Sequence, residues 1–350
     1  MNMNDNLVIS PYILSFITTK KCTAACKNCC FDCSPNRKDR LTLEDMIKYI
    51  DLSLSMYKTI KVLVITGGEC FTLGKDLDRI ISYASKKGLI VRVVTNAYWA
   101  KSFKSAYLRL LDLKRCGLKE FNLSTGDEHL EWVPYDNIIY AISAAMKLDI
   151  MTIVNMETSP ISKMNKRLLV NDVRLRKFNM DSNKNVCILS GVWVPLKKTT
   201  KEIYLCKQKD ENQKNKKEYQ RCSSLFSSVT IDPNHYMYSC CGLTSASNRY
   251  LILGKANEID LNILYEKQFD DFMKIWLFTE GPGKILDFCL INRGRPLVDF
   301  SNWHVCQICA EIFNDKENIK QLRDNYKNVM GNVILKYVML REKYVKLLNY

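Results

Sequence analysis

Three cysteines, Cys22, Cys26 and Cys29, stand at the spacing CxxxCxxC. A structural zinc site takes four protein ligands, whereas a [4Fe-4S] cluster held by three thiolates keeps one iron open to a small molecule. Downstream lies Thr66-Gly67-Gly68-Glu69, where two glycines expose backbone amides and carbonyls and a carboxylate can hold an ammonium group. Four further thiols follow, Cys222, Cys240 and Cys306-Gln-Ile-Cys309, with Cys241 directly after Cys240. A lone CxxC is a common zinc pattern, so for this second set zinc and iron-sulfur chemistry both stand open.

The chain has 350 residues and 15 cysteines. An odd and large number of thiols in a chain of this size argues against a disulfide framework and for metal ligands or reactive thiols. Only three histidines leave little material for a His-based site. The N-terminal residues lack the pattern of a secretory signal, and no apolar run reaches the roughly 18 residues of a membrane span, so a soluble cytoplasmic protein is expected. The net charge of +15 comes from scattered lysines and fits either a solvated surface or an anionic partner, peptide or nucleic acid.

The elements that must position these groups follow from periodicity. Short β-branched runs at Ile13 to Thr18, Lys61 to Thr66, Ile90 to Thr95, Glu120 to Ser124, Met151 to Met156 and Gly191 to Pro195 alternate with amphipathic stretches at Leu43 to Met56, Asp76 to Lys87, Ser105 to Cys116 and Tyr135 to Leu148. That alternation predicts an α/β fold, a partial TIM-like barrel of six βα units over residues 1–196. A basic, aperiodic segment, 197–221, reads as a linker. Beyond it a hairpin, Ser228 to Ile231 with Tyr236 to Ser239, opens a small α+β domain over 222–315; a helical region from Ile259 to Phe278 falls within it, and a C-terminal helix is expected over 316–350. The cysteine loop and the glycine turn then both fall at carboxyl ends of strands, where α/β barrels do chemistry.

With CxxxCxxC after the first strand and GGE after the second, the chain resembles the radical S-adenosylmethionine (SAM) enzymes. The resemblance implies that Cys22, Cys26 and Cys29 hold a [4Fe-4S] cluster and that Gly67, Gly68 and Glu69 grip the SAM amino group. Thr95, Asn96 and Ser124 would face the SAM carboxylate and ribose, and the backbone of Asn28 would meet adenine. Two positions depart from the pattern: Asn28 stands where an aromatic is common, and Cys70 where proline is usual.

Cys222, Cys240, Cys306 and Cys309 resemble the auxiliary [4Fe-4S] site of a SPASM/twitch domain, except that His235 stands where that pattern has glycine. Narrower still is a likeness to YydG-type radical SAM peptide epimerases, carried by Cys22 to Pro35 with the extra thiols Cys30 and Cys33, by Tyr238-Ser-Cys240-Cys241, and by Cys306-x-x-Cys309 with Phe313-Asn314; Ser124 to His129 matches more loosely. The likeness implies conversion of L- to D-residues in a ribosomally made precursor peptide, with Cα hydrogen taken by a 5'-deoxyadenosyl radical and a hydrogen atom returned by Cys241. Cys240 and Cys241 can exchange these roles, and Cys240 is taken as the ligand because it closes the hairpin. A reduced flavodoxin or ferredoxin would supply electrons. The alternatives are a radical SAM maturase forming thioether or carbon–carbon crosslinks and, made remote by the GGE that follows CxxxCxxC, a zinc protein binding nucleic acid; a tRNA-modifying radical SAM enzyme would also use the positive charge, but no RNA-binding motif with aromatic platforms is present in the sequence. His129, just past the fourth strand, is a candidate for orienting substrate or ribose.

Overall fold

The computed structural model describes residues 9–158, 162–178, 184–191, 220–300 and 303–348. Six strands run parallel and side by side in chain order: β1 (Ile13–Ile17), β2 (Val62–Thr66), β3 (Ile90–Thr95), β4 (Leu118–Thr125), β5 (Met151–Glu157) and β6 (Val186–Gly191). Crossovers carry α1 (Leu43–Met56), α2 (Lys75–Lys86), α3 (Phe103–Cys116), the single turn α4 (Asp127–Leu130) and α5 (Tyr135–Lys147). This is the α/β parallel sheet that the alternation of strand and helix periods predicts.

The local reasons are legible. Thr42 accepts from the Asp45 amide at 3.0 Å while the Asp45 carboxylate accepts from the Thr42 amide, a capping box that starts α1. One face of each strand is apolar: Leu63 and Ile65, Val91 and Val93, Phe121 and Leu123 are fully buried, packed in one core with Ile50, Ile80, Leu110 and Ile142 of the helices. At roughly 25 cal/mol per Å2 of apolar surface, this shared face is the main force holding helices to sheet. The opposite faces of the strands look into a cavity.

The sixth strand, β6, is described from Val186 to Gly191, in register with Thr152 to Glu157 of β5, so it begins before the expected Gly191. Of the expected stretch Gly191 to Pro195, residues 192–195 lie outside the described residues, as does nearly all of the basic segment 197–221.

The hairpin β7 (Ser228–Ile231) and β8 (Tyr236–Tyr238), with β9 (Ile252–Lys255), extends the same sheet: β7 lies parallel to β1, and the order is β6-β5-β4-β3-β2-β1-β7-β8-β9. His235 in the turn has φ +65°, the left-handed conformation that glycine adopts most easily. Its ring Nδ1 meets the buried Tyr49 hydroxyl of α1 at 2.8 Å, which ties the turn to the barrel and offsets the strain. The expected helix from Ile259 to Phe278 is two helices, Leu261–Glu266 and Phe272–Thr279, joined by a 3-10 turn. Phe226, Phe269, Phe278 and Tyr337 form the aromatic core of this half, and the Tyr265 hydroxyl, within reach of the Ile9 and Phe226 carbonyls, joins it to the N-terminal strand. The tail forms two helices, Lys316–Asn325 and Lys327–Leu348. Among the described residues, no helix is long and apolar enough to cross a membrane.

Candidate active site

The carboxyl ends of the parallel strands surround a cavity of about 560 Å3. Cys22, Cys26 and Cys29 line it from the loop after β1. That loop is held by bonds from elsewhere in the chain: the Cys22 amide donates to the Ser34 carbonyl at 3.1 Å, the Asn96 side-chain amide faces Cys22 Sγ at 3.7 Å and Thr23 Oγ1 at 3.1 Å, and Cys26 Sγ lies 3.9 Å from the Glu128 carbonyl. Burial pushes the Cys22 thiol up to about 12 and the Cys26 thiol also up. Cys29 goes the other way, to about 6, because the Cys33 side chain and then backbone groups hydrogen-bond to its sulfur.

The glycine turn sits directly on this loop. The Gly68 amide donates to the Thr19 carbonyl at 2.6 Å and the Glu69 amide to the Lys21 carbonyl at 2.9 Å. A Cβ on Gly68 would stand 2.3 Å from the Lys21 oxygen and 3.1 Å from Cys22 Cβ, so glycine is required by the close approach of two backbones. Gly67 and Gly68 line the cavity. Glu69 is fully buried, and its carboxylate accepts from the Phe71 amide at 3.0 Å, Thr95 Oγ1 at 2.8 Å and the Asn96 amide at 2.8 Å. Desolvation raises its carboxyl to about 7 against those hydrogen bonds. In the fold the Glu69 carboxylate ties the end of β2 to the end of β3, and Thr95, Asn96 and Ser124 line the cavity together with Gly67 and Gly68.

Spacing gives no sign of the third clamp. Both carboxylate oxygens of Glu128 are taken by Asn28, through its amide at 2.9 Å and its side-chain nitrogen. The Glu128 amide donates to Glu157 Oε1 at 2.8 Å, and His129 Nδ1 lies 3.2 Å from Glu157 Oε2. Asn28 therefore keeps only its carbonyl free of this pairing on the backbone side. Glu128 and Glu157 are recognisable only in three dimensions, since the partners lie on separate strands' loops.

The second group of thiols is built from three segments. Cys240 closes the hairpin and is buried; Cys306 and Cys309 share one face of helix Val305–Asn314; Cys222 precedes β7. A Cβ on Gly242 would lie 3.2 Å from Cys306 Sγ and 3.4 Å from Cys240 Sγ, so these two sulfurs face a common space beside the glycine. Burial pushes all four thiols up, Cys306 to about 12, and each has at least one other cysteine close enough to act on it. Cys241 is different: it is exposed and lines the cavity with the first three cysteines. Among the described residues, no three His, Cys, Asp or Glu converge as ligands of a single ion. Each iron of a four-iron cluster takes its own thiolate.

Cys70 is buried and its thiol meets the Val94 carbonyl at 3.2 Å, a packed side chain in the place where proline is usual. Cys30 and Cys33 adjoin the loop, Cys30 on the cavity wall. Cys206 lies outside the described residues.

The fold is an α/β parallel sheet that carries CxxxCxxC after β1 and the glycine turn after β2. No family model matches the chain. It is 26% identical over 169 residues to the putative peptide biosynthesis protein YydG of Bacillus subtilis (strain 168), covering 46% of this chain and 52% of that one, so the match spans about half the relative's length. Among solved structures it is similar to anSMEcpe with bound AdoMet and the Cp18Cys peptide, with a TM-score of 0.55 at 13% identity over 92% of this chain and 99% of that one. A histidine-tagged anSMEcpe with bound AdoMet gives a TM-score of 0.53 at 12% identity, over 91% and 99%. These structural likenesses concern the fold.

Proposed function

We propose that the protein is a radical SAM peptide epimerase that converts L- to D-residues in a ribosomally made precursor peptide. The observation that carries this reading is the division of labour between neighbouring thiols: Cys240 turns inward toward Cys306 across Gly242, while Cys241 opens into the cavity that Cys22, Cys26 and Cys29 line. The relative named for peptide biosynthesis and the peptide-bound structure of similar fold support a peptide as substrate.

On this reading Cys22, Cys26 and Cys29 would hold the SAM-binding [4Fe-4S] cluster, and Cys222, Cys240, Cys306 and Cys309 a second. The residues fit: the first three thiols border an open cavity, and of the other four, Cys240 and Cys306 approach each other across Gly242, with Cys222 and Cys309 partly buried beside other cysteines. Bound there and reduced by a flavodoxin or ferredoxin type of donor, the cluster and SAM would supply the means of removing a hydrogen atom from Cα. Gly67, Gly68, Thr95, Asn96 and Ser124 position that cofactor by backbone and short polar side chains. Glu69 and Glu128 hold the walls in place from behind. Cys241 then gives its thiol hydrogen atom to the opposite face of Cα, which inverts the residue and leaves a thiyl radical; one electron from the same donor, by way of the second cluster, and one proton would restore the thiol.

The test is an anaerobic reaction in D2O with precursor peptides from adjacent short reading frames. Deuterium at Cα of a D-residue is expected, and Cys241→Ala is expected to lower D-residue formation by more than a hundredfold while SAM cleavage continues. A product lighter by two hydrogens identifies a crosslinking enzyme instead, and a Cys241→Ala enzyme of undiminished activity removes the hydrogen-donor role.

A further inference from the structure

The inward faces of parallel barrels are ordinarily closed by branched apolar side chains. Here that face carries an ion pair. Arg92 on β3 and Glu120 on β4 are register partners in the sheet, and the Arg92 side chain, 31% exposed, lines the cavity that Cys29 and Cys241 share. Arg92 stands three residues before Thr95, so at about 3.3 Å per residue it lies roughly 10 Å deeper than the cofactor end of the cavity.

The pairing leaves donors over. Arg92 Nη2 donates to Glu120 Oε2 at 2.9 Å, and Asn122 Nδ2 donates to Oε1 at 3.1 Å. Arg92 Nε is 2.8 Å from Glu120 Oε1 but out of line with it and buried behind the pair, closed to the cavity, while no hydrogen bond among the described residues engages Nη1. Withdrawing an ion pair from water costs more than a packed apolar pair would, and donors left without acceptors add to that cost. Glu120 balances the guanidinium charge and holds its plane. What remains on offer to the cavity is the Nη1 end of the guanidinium, with little net charge, flanked on the same cavity wall by Asn155 of β5 and Thr230 of β7. Such a surface fits a neutral acceptor, the oxygen of an amide carbonyl, better than an anion.

We propose that Arg92, oriented by Glu120, binds a main-chain carbonyl of the substrate peptide inside the barrel and so sets which Cα reaches the cofactor end. The inference rests on the reading of a peptide substrate.

Titration of N-acetyl-Ala-Val-Ile-Val-Ala-amide into the anaerobic, cluster-loaded enzyme tests it. Arg92→Gln is expected to weaken binding about tenfold or more, the usual worth of a hydrogen bond to a charged group. Arg92→Lys should weaken it similarly, because an ammonium keeps the charge but loses the planar fork. Glu120→Gln, which keeps the shape and releases the guanidinium, should weaken it severalfold. In turnover with any peptide that acquires Cα deuterium, the Arg92 variants should raise KM more than they lower kcat, a split that a general loss of structure would not produce. Absence of saturable binding to the wild type, equal affinity for Arg92→Gln, or tenfold tighter binding of the free-acid peptide than of its amide would each overturn the proposal. Arg92-dependent binding without deuterium uptake by any peptide would keep the proposal and remove the epimerase reading.

Discussion

The two groups of cysteines show opposite designs. The first lies on one loop, borders open space, and is held by hydrogen bonds from other strand ends, Asn96 to Cys22 and Glu128 to the segment that carries Cys26 and Asn28. The second is gathered from three segments far apart in sequence, and burial dominates each of its thiols. Local spacing suffices where one short loop must present ligands to a small molecule that arrives from solution. A closed group can be assembled only by the packing that brings a hairpin end to a helix. Cys241 stands where the two designs meet, next to a buried thiol and facing the open cavity.

The largest effects separate the two groups. Cys26→Ala is expected to abolish SAM cleavage, and Cys309→Ala to leave SAM cleavage while stopping peptide turnover; each should lower iron content by about four atoms per chain, one [4Fe-4S] cluster. Equal loss of SAM cleavage in both variants would erase the distinction. Of intermediate size is the effect of Glu69. Its carboxyl is raised from 4.5 to about 7, so the folded chain holds that proton more tightly than the unfolded chain. Its contribution to stability is full below about pH 4.5 and is lost as pH rises through 7, about 3 kcal/mol in all. Denaturant unfolding of the cluster-free chain should show Glu69→Gln with a flatter profile across that window than the wild type; parallel profiles would refute the burial argument. Smallest is a change in one thiol. Because the Cys33 side chain draws the Cys29 thiol down to about 6, Cys33→Ala should move the pH midpoint of Cys29 alkylation in the cluster-free chain upward toward the ordinary thiol range. An unmoved midpoint would place the cause elsewhere in the loop.

Much of the barrel was legible beforehand because its signals are local. The capping box at Thr42 and Asp45, the β-branched runs and the glycine turn each act within a few residues, and the observed elements begin and end close to where those signals stand. The start of the sixth strand at Val186 was not legible, because successive apolar residues give no local signal of where pairing with β5 begins. Similarly, His235 reads as a departure until its left-handed backbone and its bond to Tyr49 are seen to do the work of glycine.

By itself, then, the sequence determined the elements of the parallel sheet and the identity of the thiols, since strand periodicity and CxxxCxxC are properties of neighbouring residues. Tertiary structure alone decided that Glu69 bonds the end of β3, that Glu128 grips Asn28, that Arg92 and Glu120 pair inside the barrel, and that Cys240 and Cys241 point into different spaces. These facts depend on which strand ends and helices come together. Contacts between residues a hundred positions apart are set by the packing of the whole sheet and leave no mark in local spacing.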